Sequence, residues 1–262
     1  MLLVVDIGNT ETVLGLYSGN ELSACWRMSS KDRRTTDEVW IMLKMWCESA
    51  GYDLSSISGV VISSVVPSLT GVFHKVSQQR LEIDPVLVSD QTPTGITIQY
   101  DPPQAVGADR ICNSVAGYAK YGGPLIILDF GTATTFDVIS ETGVYLGGAI
   151  TLGLASSTFE LHRISAKLPH VEARFPKSVI GRSTETSIQS GIMYGIVDLV
   201  DGMVDRIKNE MRWRTVHVIA TGGEAFKIAE HSKRIQNIEP YLTLEGMQMI
   251  YQKLIEEDKE AS

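Results

Sequence analysis

Leu2-Leu3-Val4-Val5-Asp6-Ile7-Gly8-Asn9-Thr10 opens the chain with four apolar residues that run straight into a carboxylate and a turn-forming Gly-Asn pair. A short apolar run bounded by turn residues reads as a buried strand, here residues 2–6. A second strand follows at 12–17. A third at 21–28 alternates Leu22, Ala24, Trp26 and Met28 on one face. The plan recurs at Leu125-Ile126-Ile127-Leu128-Asp129-Phe130-Gly131-Thr132-Ala133-Thr134, with further strands at 134–139 and 143–149. One copy alone reads equally well as a hairpin whose Asp and Gly serve only the turn. Two copies, each opening a three-strand meander, form a long-period internal repeat, and such repeats identify architecture better than any one segment.

Working outward, Thr35 and Glu38 fit a capping box at the head of a helix with the stripe Val39, Met42, Leu43, Trp46 and Cys47, and Gly51 is its stop. A strand is predicted at 59–65, a helix near 70–81 and a strand at 85–88, so the first half reads βββαβαβ. In the second half, 151–165 and 187–211 are helical; Met193, Ile196, Val197, Val200, Val204, Ile207 and Met211 recur at helical spacing and read mostly as core. A strand at 215–220 and helices near 224–231 and 243–257 complete it. The predicted class is α/β, two repeats with mixed sheets flanked by helices, divided as 1–115 and 116–262.

With 262 residues, 44% of them hydrophobic, the chain is long enough for one large core or two smaller ones. A net charge of −8 argues against a uniformly basic face for nucleic acid, since phosphate backbones are held by clustered Lys and Arg. It also repels nucleoside triphosphates at long range, so bound ATP would need local amides, placed cations and a metal ion. Cys25, Cys47 and Cys112 form no C-x-x-C pair, which fits a reducing compartment rather than a disulfide or zinc scaffold. The apolar opening is too short for a signal peptide, and no run approaches a membrane span; the expectation is a cytoplasmic protein.

The loop residues suit phosphate. Gly8 lets the backbone approach an oxyanion without a Cβ, consecutive turn amides form an anion nest, and Asn9 and Thr10 add neutral donors. Asp6, at a strand end, is placed to hold a hydrated Mg²⁺. Thr132, Thr134 and Thr135 supply hydroxyls in the second loop, and Thr221-Gly222-Gly223 forms a third turn suited to a nucleotide. The sequence has no P-loop, no G-x-G-x-x-G and no H-E-x-x-H, and its His residues lack ligand-like spacing.

The repeat resembles the duplicated ribonuclease H-like (actin-like ATPase) fold of the actin, Hsp70 and sugar kinase superfamily, which implies that the two hairpin loops hold ATP between them. Within it, the motifs resemble type III pantothenate kinases: Asp6–Thr10 matches D-x-G-N-T, Gly107-Ala108-Asp109-Arg110 matches G-A-D-R, and Asp129–Thr135 matches D-x-G-T-A-T-T. Gly147-Gly148, Leu168-Pro169, Gly181–Thr184 and Leu242–Gly246 continue the match in order. One departure is Leu152, where the family pattern has Pro, which would loosen the turn before the next helix.

The resemblance implies phosphorylation of pantothenate by ATP. Asp109 would be the general base, with its carboxylate form favoured by the helix N-terminus. Gly107, Ala108, Arg110, Tyr100 and Thr184 would bind substrate, and Thr132 and Gly222 would serve ATP. Thr184 precedes a capping-box pattern of Thr186 and Gln189. Asp129 would bind K⁺ or NH₄⁺, or act as a second Mg²⁺ ligand. A homodimer completing the pantothenate pocket is also implied. A non-catalytic regulator of the same family is the alternative, disfavoured because Asp6, Asp109, Arg110, Asp129 and Thr132 are all present.

Overall fold

The computed structural model describes residues 1–165 and 167–261. Two compact units divide the chain: residues 1–119 together with the C-terminal helix, and residues 120–241. The grouping follows packing, whereas the division at 115/116 read from the sequence follows the repeat.

In the first unit, β1 (Leu2–Ile7), β2 (Glu11–Ser18) and β3 (Glu21–Ser29) form an antiparallel meander, and β4 (Gly59–Ser64) and β5 (Val86–Leu87) continue parallel to β1. The sheet order is β3-β2-β1-β4-β5. Helix α1 (Thr36–Ser49) begins at the expected capping box: Glu38 N–H donates to Thr35 Oγ1 at 3.2 Å and Thr35 N–H to Glu38 Oε2 at 2.7 Å. Gly51 follows the helix at φ +77°, a backbone that disfavours any side chain. Helix α2 (Pro67–Val76) starts a turn earlier than expected because Pro67 is preset for the first helical position, and a π turn at Ser77–Leu81 extends it. Val39, Leu43 and Cys47 from α1 and Leu69, Phe73 and Val76 from α2 pack on Leu3, Val5 and Ile7 of β1.

The opposite face of β1 is also covered. Helix α3 runs from Ala108 to Tyr121, after the short strand β6 (Thr97–Ile98). The last helix of the chain, Leu242–Ala261, packs on β1 and β4. Its Leu244 approaches the Gly15 position and its Tyr251 lies where a Cβ at Gly59 would sit. Burial on both faces explains why residues 2–5 read as a continuous apolar run rather than an alternation.

The second unit repeats the plan. β7 (Leu125–Phe130), β8 (Ala133–Ile139) and β9 (Val144–Leu152) form the meander, and β10 (His217–Thr221) and β11 (Asn237–Ile238) run parallel to β7. The order of these five strands, β9-β8-β7-β10-β11, repeats the order of the first sheet. Helices α4 (Leu154–Ile164), α5 (Thr184–Glu210) and α6 (Ala225–Ala229) flank it, and the last helix is α7. Met193, Ile196, Val197, Val200 and Val204 of α5 are buried against the sheet, as the periodicity predicted. Where the family pattern has Pro, the Leu152 backbone pairs with Ala133 in the β9–β8 ladder. The following turn is then closed by Gly153 N–H donating to Thr132 O at 3.1 Å. The turn is tied by these two strands and not by a fixed proline.

Candidate active site

In the first unit the site is built where β1 ends and α3 begins. Asp6 is the penultimate residue of β1, and its register partner on the parallel strand β4 is Ser63. Ser63 is fully buried, and its Oγ donates to Asp6 Oδ1 at 3.0 Å. The loop beyond Asp6 is tight: Gly8 N–H donates to Glu11 O at 3.0 Å, which leaves Asn9 exposed and Thr10 half-buried at the tip. One carboxylate, a loop of amides and neutral donors suit a metal ion held largely by water and phosphate oxygens. No cluster of three or more His, Cys, Asp or Glu fit to cage a metal exists among the described residues.

Asp109 sits in the first turn of α3, half-buried. Gly107 makes room for it, since a Cβ there would overlap Asp109 Oδ1. The Arg110 N–H donates to Asp109 Oδ1 at 2.8 Å. The helix start was expected to favour the ionised form, and the net effect is the opposite. Burial pushes the Asp109 carboxyl above its usual range, while the Arg110 amide and guanidinium pull it down only in part. For a base that must take a proton near neutrality, an upward shift is the useful direction.

Arg110 is buried, not the side chain of a surface ion pair, and Ser114 Oγ donates to its carbonyl at 2.7 Å. One turn along α3, the Cys112 thiol is completely buried and pushed well up, by burial first and then by the nearby charges of Asp6 and Asp109. Asp6 and Asp109 both lie close enough to Cys112 for their charges to act on its thiol, and Ser63 is in hydrogen-bonding reach of its sulfur. Ala108 is buried beside Gly107, and Tyr100 is half-buried before the cis Asp101–Pro102 peptide.

In the second unit, Asp129 occupies the same place on β7 as Asp6 on β1, and its parallel register partner is Thr221 on β10. Gly222, at φ +89°, brings the next turn onto it: a Cβ at Gly222 would lie 2.6 Å from both Asp129 Oδ1 and Phe130 O. The Asp129 carboxylate and the Phe130 carbonyl thus pack against the Gly222 backbone, a contact that only a glycine allows. Thr132 is exposed at the loop tip, where its carbonyl accepts from Ser156 Oγ at 2.7 Å as well as from Gly153.

Two expectations need correction. Thr134 does not serve the loop; it is fully buried and its Oγ1 has no partner. The α5 capping box lies one turn earlier than Thr186 and Gln189: Thr186 N–H donates to Ser183 Oγ at 3.2 Å, so Ser183 is the cap. Thr184 becomes the exposed first residue of α5. A cavity of about 520 Å³ next to it is lined by Arg174, Lys177, Arg182, Thr186 and Gln189. Sequence reading missed Ser63 and Cys112. The only signal for Ser63 was that its strand, like β1, ends a buried apolar run on a polar residue.

A family model described as type III pantothenate kinase matches residues 2–206. A type III pantothenate kinase of Geobacter sulfurreducens is 50% identical, covering 97% of this chain and 99% of its own length. Another, from Geotalea daltonii, is 48% identical, covering 97% and 98%. Solved structures share the fold at lower identity. A Campylobacter jejuni protein assigned to the Baf family of transcriptional activators has TM-score 0.63 at 17% identity over 97% of this chain and 99% of its own. The ROK hexokinase of Thermus thermophilus has TM-score 0.53 at 12%, over 97% and 99%.

Proposed function

The chain belongs to the type III pantothenate kinase family, and from that membership we propose how its residues divide the work of phosphorylating pantothenate with ATP, the first step toward coenzyme A. In the reaction, the primary hydroxyl oxygen of pantothenate attacks the γ-phosphorus, the bond to the β–γ bridging oxygen breaks, and ADP departs. The hydroxyl proton goes to Asp109. Its half-buried place at the head of α3 and its raised pKa support that role.

Asp6, with the Gly8, Asn9 and Thr10 loop, serves the ATP phosphates and a hydrated Mg²⁺. Bound there, the ion would neutralise charge on the transferring phosphate. Thr132 and Gly222 serve the nucleotide from the second repeat. Asp129 takes a monovalent cation, K⁺ or NH₄⁺, the role implied by its place in the D-x-G-T-A-T-T motif. Gly107, Ala108, Arg110, Tyr100 and Thr184 bind pantothenate.

We assign the protein to a homodimer whose partner completes the pantothenate pocket. Ile150 and Leu152 on β9 and Phe159 and Ile164 on α4 are each more than half exposed, an apolar surface that a second copy would cover. No helix among the described residues is long and apolar enough to cross a membrane, and the three cysteines are free, which supports a cytoplasmic location.

Near-full-length identity of 48–50% to type III pantothenate kinases carries the functional reading. The test is ADP release by the purified protein with ATP, Mg²⁺ and K⁺, with and without pantothenate. Release that depends on pantothenate is expected; release indifferent to pantothenate refutes the activity. Equal rates when Na⁺ replaces K⁺ and NH₄⁺ refute the Asp129 assignment alone.

A further inference from the structure

Each loop carboxylate ends a strand, and the parallel neighbour of that strand presents a buried hydroxyl residue at the same register. Asp6 faces Ser63 in the β1–β4 pair, and Asp129 faces Thr221 in the β7–β10 pair. Ser63 is 0% exposed and Thr221 is 3% exposed. In the first unit the contact is made, with Ser63 Oγ donating to Asp6 Oδ1 at 3.0 Å.

The surroundings hold Ser63 in that role. The Cys112 sulfur is also within hydrogen-bonding reach of Ser63, and the Cys112 backbone is held by α7: a Cβ at Gly246 would overlap the Cys112 carbonyl. A hydroxyl carries one proton, and a buried neutral thiol is a poorer acceptor than a carboxylate. The Ser63 proton is therefore committed to Asp6. A charge-assisted bond of this kind fixes the plane of the carboxylate and the direction in which the rest of the group points.

We propose that Ser63 is a positioning residue for Asp6: its buried hydroxyl orients the carboxylate that serves the metal-bound phosphates of ATP. The proposal rests on the reading that Asp6 serves Mg²⁺ and ATP, and its test separates the two. Ser63 is fully buried and bonded to Asp6, so its effect should appear in nucleotide binding and not in the acceptor step.

The experiment measures equilibrium binding of MgATP to Ser63→Ala, without pantothenate, beside steady-state kinetics and thermal unfolding. Binding weaker by about ten- to a hundredfold is expected, the range for losing a hydrogen bond to a charged group. The KM for ATP should rise, with the KM for pantothenate and the Tm unchanged. Ser63→Thr, which keeps the hydroxyl, should restore binding. Ser63→Ala added to Asp6→Asn should weaken binding no further than Asp6→Asn alone.

Wild-type MgATP affinity in Ser63→Ala, while Asp6→Asn binds weakly, overturns the Ser63 proposal and spares Asp6. Wild-type affinity in Asp6→Asn overturns the reading beneath it. A rise in both KM values together with a fall in Tm marks a merely structural serine and also overturns the proposal. Should Ser63→Ala lose the fold, Ser63→Cys, of similar size and with a weak donor, carries the same comparison.

Discussion

Replacing Gly222 by alanine tests the packing that brings the third loop onto Asp129. The new Cβ would stand 2.6 Å from Asp129 Oδ1, 2.6 Å from Phe130 O and 2.7 Å from Phe130 C, at φ +89°. Ordinary contact would need those atoms to retreat by roughly 0.8 Å, taking about 3.4 Å as the nearest comfortable approach. The Asp129 side chain can turn, but the Phe130 carbonyl belongs to a buried strand and cannot.

Left-handed backbone costs a non-glycine residue about 1–2 kcal/mol, and overpacking adds about 1–3 kcal/mol. A central figure of about 3 kcal/mol corresponds to a Tm lower by roughly 6–12 °C for a chain of this size. Gly223→Ala is the control, because nothing lies within 4 Å of a Cβ there; its Tm should move by no more than about 2 °C. Differential scanning calorimetry gives both values, and ADP release titrated with K⁺ shows whether the displaced carboxylate still responds. If Gly222→Ala melts with Gly223→Ala and keeps its K⁺ response, the close approach of this turn to Asp129 is wrong.

Asp109→Asn should lower kcat by about 10²–10⁴-fold, the usual worth of a positioned base, without lowering the Tm. The sign follows from burial. A carboxyl raised in the folded state contributes stability that is complete below its unfolded pKa and lost as pH rises through the folded one, so ionised Asp109 costs stability at neutral pH. A pH profile of kcat/KM should lose activity on acidification sooner than an unperturbed aspartate at 3.8 would. An acid limb at the ordinary position would contradict the assignment. Asp129→Ala should remove the difference between K⁺ and Na⁺ in the ADP-release assay, and a persisting preference for K⁺ would exclude its cation role. Thr35→Ala removes the side-chain acceptor of the α1 capping box, leaving the backbone bond to Glu38, and should cost about 1 kcal/mol in denaturant titration; an unchanged midpoint would show the cap to be idle.

The repeat was legible because its signal is local. A buried strand announces itself by an unbroken apolar run, and Asp6 and Asp129 interrupt two such runs at the same point of the same meander. The two-residue strands Thr97–Ile98, Val86–Leu87 and Asn237–Ile238 are too short to leave a period, and only the middle one was anticipated. The α5 start was misjudged because Ser183 and Thr186 both carry hydroxyls at cap spacing, and only the backbone decides which one caps. The contact of Ser63 with Asp6 and the upward shift of Asp109 were not legible. Both depend on what α3 and β4 bury together, which no spacing along the chain records. The grouping of α7 with residues 1–119 was hidden for the same reason.

That last helix has a consequence for how the polypeptide emerges from the ribosome. Residues 120–241 are contiguous and can close their own sheet as soon as they are made. The earlier half cannot, because the face of β1 that carries Val4 and Asp6 waits for the final twenty-residue helix. Synthesis proceeds at about 5–20 residues per second, so β1 spends roughly 12–47 seconds with an apolar side uncovered before α7 is made, a window for chaperones or for misassociation. The order of birth and the order of completion are reversed in this chain.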